Sequence, residues 1–486
     1  MTTRIETDSL GYIPVPSTAY WGAHTARALE NFTISGIPVS NHPHLVRALA
    51  MIKNAAAQAN CELGILNPRE ATAIREACQD IQDGHHHEQF CVDVIQGGAG
   101  TSTNMNANEV IANLALEKLG HHRGEYHHLH PIDHVNRCQS TNDTYPTAIK
   151  LALIFATAEL NLELGKLAES ARSKGAEFAD VVKMGRTQLQ DAVPMTLGQE
   201  FNAFAATLEE DRSRLMESAA LMRECNLGAT AIGTGITAEP GYQELVLRAL
   251  SEISGVPVSP AADLIEATSD VGVFMHMSGM LKRTAIKLSK ISSDLRLLSS
   301  GPQNGFGEIT LPPRQAGSSI MPGKVNPVIP EAMNQVAFAV AGADTTVTMA
   351  ADNGQLQLNA FEPVIAHVLL QSISWLEHGS RALRQHCIDD IEANTGRLAR
   401  QTAASVGLAT ALIPAIGYAA AAAVAKEALR DGSTILDIVT GRNLLDRETA
   451  QSLLEPAVVP SGMRTSRESN HCDSVARAPA APPRRM

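Results

Sequence analysis

The chain has 486 residues, with 39 Lys and Arg against 51 Asp and Glu, a formal net charge of −12, and 44% hydrophobic and 19% charged content. That negative excess repels nucleic acid and anionic membrane surfaces at long range, which leaves a small molecule as the expected ligand. The apolar fraction is enough for one large core or two to three smaller ones.

Seven cysteines, at 61, 78, 91, 138, 225, 387 and 472, form no C-x-x-C pair. They read neither as a disulfide framework nor as a zinc site, and a reducing cytoplasm is the expected compartment. The opening M-T-T-R-I-E-T-D holds acids and no apolar core, so it does not read as a secretory signal.

Residues 1–140 read as an N-terminal domain of short helical runs and Pro- and Gly-containing loops. It carries two histidine-rich pieces, His85 to His87 and His121 to His134. Adjacent histidines diverge on any regular element, and G-H-H-R-G-E-Y-H-H-L-H-P lacks an obvious acidic or cysteine partner set, so both read as polar surface and no metal is assigned. At residues 97–110, G-G-A-G-T-S-T-N-M-N-A-N-E-V, glycines lead a cluster of hydroxyls and amides into a helix. Such a start cradles a carboxylate. Q-S-T-N-D, residues 139–143, sets Ser140, Thr141 and Asn142 at a second helix start.

Residues 141–396 read as a central helix bundle. Met277, Leu281, Thr284, Leu288, Ile291, Leu295 and Leu298 recur at alternating steps of four and three, a bundle seam. A second stripe runs through Phe201, Phe204, Leu208, Leu215, Ala219 and Met222, with Glu210 and Arg214 spaced to pair on its outer face. G-R-T-Q-L-Q-D-A-V-P, residues 185–194, is a further polar segment. Residues 317–326, G-S-S-I-M-P-G-K-V-N, put two hydroxyls, a cation and a carboxamide on a loop with glycine at positions 317 and 323 and Pro322 stiffening its middle. They read as a movable flap suited to chemistry on an anion.

Residues 397–458 read as a small C-terminal helical domain, and 459–486 as a disordered tail poor in apolar residues. Gln401 to Ala425 carries no charge but is built mainly from alanine, with glycines and Pro414. It reads as a packed helix pair broken near that proline rather than as a membrane span.

Singly, each polar segment is an ordinary cap or turn. Together, from about Ile5 to Pro456, they resemble the aspartase/fumarase superfamily, whose hallmark loop stands here as G-S-S-I-M-P-G-K-V-N-P. Residues 97–110 and N-L-G-A-T-A-I-G-T-G at 226–235 are closer to its aspartate-deaminating branch than to the fumarate hydratases, which carry S-G-T-Q-S-N-M-N at the former place. The hydratases also place His after the Thr of G-R-T-H, facing an acid at the position of Glu331. This chain has Gln188, which cannot exchange protons near neutral pH.

The resemblance implies a mainly α, three-domain subunit whose long central helices form a twenty-helix core in a homotetramer, with active sites shared between three chains. It implies reversible removal of ammonia from L-aspartate to give fumarate, with no organic cofactor; activation by a loosely bound divalent cation is left open. By motif position, Ser318 is the base; Thr101, Ser140, Thr141 and Ser319 hold the carboxylate that becomes an enediolate. Lys324 and Asn326 bind the other carboxylate, Asn142 and Thr187 lie near the amino group, and Gln188 and Glu331 stand behind them. Fumarate hydration or deamination of a related amino acid is the second reading, and a catalytically silent helical scaffold the third. The alanine run Ala419 to Ala423 and the sequence after about 456 depart from the family pattern without touching a motif.

Overall fold

The computed structural model describes residues 2–454, so the sequence expected to be a disordered tail lies outside the described residues. Strands β1 (Thr3–Asp8) and β2 (Gly11–Pro16) pair antiparallel, and the left-handed Gly11 lets the chain reverse between them. Helices α1 (Ala23–Asn31), α2 (Pro43–Glu62), α3 (Pro68–Gln82) and α4 (Thr101–Lys118) follow. Proline opens α2 and α3 at their first turn, where no amide hydrogen is needed, and the Asn67 side chain caps α3 by accepting from Glu70 N at 2.9 Å. The expectation of short helical runs in this region fails for α2 and α4, which have 20 and 18 residues. α2 is rich in alanine, which hides a long helix from a search for large apolar residues at regular spacing.

Helix α5 (Thr141–Glu177) runs for 37 residues, about 55 Å at 1.5 Å per residue. A hairpin, β3 (Val182–Thr187) and β4 (Gln190–Thr196), separates it from α6 (Leu197–Leu221). Then come α7 (Tyr242–Ser254), the single turn α8 (Glu266–Ser269), α9 (Gly272–Leu298), α10 (Val328–Asp352) and α11 (Glu362–His386). In the bundle, α5 lies against α6 and α11, and α9 against α6 and α10. All seven seam residues of α9 and all six of the 201–222 stripe are buried.

One expectation about these stripes needs correction. The α9 seam is covered by the chain's own helices, as a bundle seam should be. What stays exposed is a different face: on α10, Gln335, Phe338, Gly342, Thr345 and Met349 follow steps of three and four, with Phe338 66% and Met349 64% exposed. Glu210 and Arg214 do not pair. Arg283 and Lys287 of α9 reach Glu210 at 2.7 and 3.2 Å, while Arg214 turns to Glu217. A partner helix outcompetes the local i,i+4 contact.

The chain divides into two compact units: residues 1–181 with 197–398, and residues 182–196 with 399 onward. The second unit thus contains the β3–β4 hairpin. After α12 (Thr395–Ala404), which crosses the boundary, it holds a 3-10 turn Val406–Leu412, then α13 (Ile413–Ile416), α14 (Tyr418–Asp431), α15 (Ile435–Gly441) and α16 (Arg447–Leu454). Met184, Leu408, Leu412, Val424, Ile438 and Val439 are among the residues of its core. The uncharged stretch 401–425 therefore breaks at Ser405 and Gly417, on either side of Pro414, and no described helix is long and apolar enough to cross a membrane.

Candidate active site

Two helix starts carry the first group of expected site residues. α4 begins at Thr101, after Gly98, Ala99 and Gly100, all with positive φ. Gly100 is required twice: its φ is +87, and a Cβ there would lie 2.3 Å from the Tyr145 ring. Thr101 Oγ1 donates to Gly98 O at 2.7 Å. α5 begins at Thr141 with a reciprocal cap, in which Asn142 N donates to Ser140 Oγ at 3.2 Å and Ser140 N to Asp143 Oδ1 at 3.0 Å. The two starts are tied by Asn104 Nδ2, which donates to Thr141 Oγ1 at 3.0 Å. Two helix N-termini thereby lie side by side, the arrangement that favours an anion.

A proline recruits the next segment. Pro146, inside α5, has no amide hydrogen for the carbonyl of Asn142 four residues earlier. Asn226 Nδ2 takes that acceptor at 3.0 Å, and Asn142 Nδ2 donates to Ala231 O at 2.8 Å. Asp143 Oδ2 accepts Gly228 N at 3.1 Å and Thr230 N at 2.9 Å. Residues 226–231 are thus laced to the start of α5.

Beneath lies a buried polar layer that the sequence did not reveal. Asn136 Oδ1 accepts from Lys53 Nζ at 2.9 Å, Asn108 Nδ2 at 3.1 Å and Asn104 Nδ2 at 3.2 Å. Burial pushes the Lys53 ammonium down to about 7 and the Asp143 carboxyl up to about 6. Each charge partly offsets the other's loss of water. Burial likewise raises Glu362 to about 8, so it is largely neutral at pH 7. The capping sequence Ser140–Asp143 signalled Asp143; for Lys53 the only hint was a lysine in an alanine-rich helix.

The flap holds its own shape. Residues 317–326 are neither helix nor strand. Gly317 N donates to Lys324 O and Asn326 Nδ2 to Gly317 O, both at 2.9 Å. Ser318 Oγ accepts from Ile320 N at 3.2 Å and Met321 N at 3.0 Å. Gly323 has φ +78, whereas Gly317 is needed for close approach, since a Cβ there would meet Lys324 O at 2.3 Å. Ser319 and Lys324 are exposed; Ser318 and Asn326 are half-buried.

Among the described residues, every hydrogen bond of the flap stays within residues 317–328, and none joins it to Thr101, Ser140, Thr141 or Asn142. Glu331 stands half-buried in the first turn of α10. Thr187 and Gln188 belong to the second unit, at the tip of β3–β4, where Gln188 and Leu189 form a two-residue turn with φ of +53 and +61. Neither is Gly or Asn, which is why turn chemistry did not mark a hairpin there.

A family model described as Lyase matches residues 11–342, and one described as Fumarase C C-terminus matches 408–459. The chain belongs to the aspartase/fumarase superfamily of lyases. Among its relatives, an aspartate ammonia-lyase of Pseudomonas aeruginosa is 59% identical, covering 94% of this chain and 96% of that protein. One of Escherichia coli K12 is 50% identical, covering 93% and 96%. A solved structure described as fumarate lyase:delta crystallin from Brucella melitensis bound to cobalt superposes with a TM-score of 0.91 at 55% identity, covering 94% of this chain and 99% of that one. A class II fumarase from Schistosoma mansoni superposes at 0.89 with 34% identity, covering 95% and 100%. The mainly helical superfamily fold expected from the loop motif is therefore established.

Proposed function

We propose that the protein is a carbon–nitrogen lyase that interconverts L-aspartate with fumarate and ammonia. The aspartate ammonia-lyases at 50–59% identity support the substrate, as do the segments at 97–110 and 226–235. Ser318 takes the proton from the carbon beside the side-chain carboxylate. The C–H electron pair moves into that carboxylate as an enediolate, then returns to form the double bond as the C–N bond breaks and ammonia leaves. Thr101, Ser140, Thr141 and Ser319 hold the enediolate, Lys324 and Asn326 the other carboxylate, and Asn142 and Thr187 the amino group. Gln188 and Glu331 support them from behind. No organic cofactor enters these steps.

The observation that carries the reading is at Ser318. A serine hydroxyl is a poor base, and its anion needs donors. The main-chain amides of Ile320 and Met321, already directed at Ser318 Oγ, supply two. Removing a donor of this kind costs about 3–4 kcal/mol of barrier.

The flap and the paired helix starts make no hydrogen bond to each other in one chain, which supports a site completed by other copies in a homotetramer. The exposed α10 stripe, with Asp344 the sole charged residue between Ala332 and Ala351, is the surface for that assembly. The scattered cysteines support a cytoplasmic location.

The 34% identity to a class II fumarase keeps hydration as the second reading. The purified protein is mixed with L-aspartate and, separately, with L-malate, and fumarate absorbance is followed in the ultraviolet. Fumarate from aspartate alone, lost in Ser318→Ala, supports the proposal. Fumarate from malate alone replaces it with hydration, and none from either leaves a silent scaffold.

A further inference from the structure

The loop after α4 reads in the sequence as a histidine run without an obvious acidic partner set. In the fold Glu125 is that partner. The loop is anchored from below: Gly124 N donates to Asn113 Oδ1 at 2.8 Å, and Tyr126 OH accepts from Asn113 Nδ2 at 2.9 Å and donates to Glu6 Oε2 at 3.1 Å. With those points held, three side chains converge on the outer side. The rings of His121 and His128 stack with centroids 3.8 Å apart and planes 12° from parallel. His121 Nδ1 lies 3.7 Å from Glu125 Oε2, which also accepts His122 N at 3.0 Å. His128 N donates to Glu125 O at 3.0 Å, fixing the turn between them. One donor atom from each of His121, Glu125 and His128 lies within 4.8 Å of the others.

We infer that His121, Glu125 and His128 form a binding site for one divalent transition cation of the zinc class. Two imidazoles and one carboxylate suit Zn2+, Co2+ or Ni2+, and are too few and too nitrogen-rich for Mg2+ or Ca2+. A tetrahedral ion with ligands at about 2.1 Å holds them about 3.4 Å apart, so side-chain rotation closes the site around it and leaves a fourth position open to water. The bound ion staples residues 121–128 together above the half-buried Tyr126. Like any ligand that prefers the folded chain, it raises the unfolding temperature. Nothing in this inference rests on the proposed reaction.

The test uses the full chain stripped of metal with a chelator and titrated with Co2+. The ion's visible absorption reports coordination number, and calorimetry gives stoichiometry and Kd. Expected is one Co2+ per chain with the intense bands of a four- or five-coordinate ion, displaced by Zn2+ and not by Mg2+, and a metal-dependent rise in Tm. His121→Gln/His128→Gln weakens Kd at least about tenfold, about 1.4 kcal/mol, while its Tm without metal stays that of the wild type. Should the double variant fold poorly, His128→Gln alone decides, because His128 is exposed. His85→Gln/His86→Gln retains the site. Unchanged Co2+ binding in a folded His121/His128 variant overturns the inference, as does a wild type that gives only weak octahedral absorption.

Discussion

A Cβ placed on Gly100 would sit 2.3 Å from Cδ1 of Tyr145, so the start of α4 approaches α5 as closely as a bare glycine allows. Tyr145 is fully buried and has no room to retreat. Gly100→Ala should therefore lower stability by about 1–3 kcal/mol through overpacking, with added strain from its positive φ. It should also cut aspartate turnover by displacing Thr101. Gly97→Ala, whose Cβ meets Phe32 only at 3.8 Å, should leave both nearly unchanged. Thermal unfolding and fumarate absorbance on the two variants check this.

Asp143 accepts three main-chain amides, from Ser140, Gly228 and Thr230. Asn at this position retains one oxygen, and an NH2 in place of Oδ2 faces the Gly228 and Thr230 amides, which then have no acceptor. Asp143→Asn should cost about 1–3 kcal/mol per unsatisfied group and loosen residues 226–231. Denaturant unfolding measures the first effect, and hydrogen exchange at Gly228 and Thr230 the second.

His42 Nε2 and His367 Nδ1 lie 2.9 Å apart in a largely buried contact that needs one donor and one acceptor. Burial first, and His367 second, lower His42 from 6.5 to about 4; burial also lowers His367, against the pull of Asp93. Between those values the unfolded chain binds the proton and the folded chain does not, so stability falls as pH drops from about 6.5 to about 4. The loss is on the order of 3 kcal/mol at 1.36 kcal/mol per pH unit. His42→Gln should flatten that slope in denaturant titrations at pH 4.5, 5.5 and 6.5, chosen as roughly even steps across the window.

The exposed Phe338 and Met349 predict assembly through α10. Phe338→Glu/Met349→Lys should shift a homotetramer toward smaller species in light scattering and abolish activity without changing the catalytic groups. A monomeric wild type with full activity would refute the shared-site reading.

The flap, the helix start at Thr101 and the cap at Ser140 were legible because each is a local pattern whose partners lie within a few residues. The layer around Asn136 was not: Lys53 and Asn136 are 83 residues apart, and a lysine amid alanines carries no period. Glu125 escaped for the reverse reason. It lies in plain view among histidines, and only the turn anchored at Tyr126 folds the run back on itself. The hairpin at Gln188 lacked its usual residues: the exposed Gln188 and Leu189 hold positive φ where Gly or Asn is expected.

Among the described residues, the flap's hydrogen bonds stay within 317–328, running from Gly317 to Lys324 and from Asn326 back to Gly317. Such a segment would travel as one prefabricated piece. If it closes over substrate as proposed, Ser318 would arrive with its two amide donors already in register, and only the hinges would lose freedom. Affinity and turnover then respond to different parts of the same ten residues. Changes at the hinges should alter how often the piece docks, whereas changes to the Ile320 and Met321 amide geometry should alter what it does once docked.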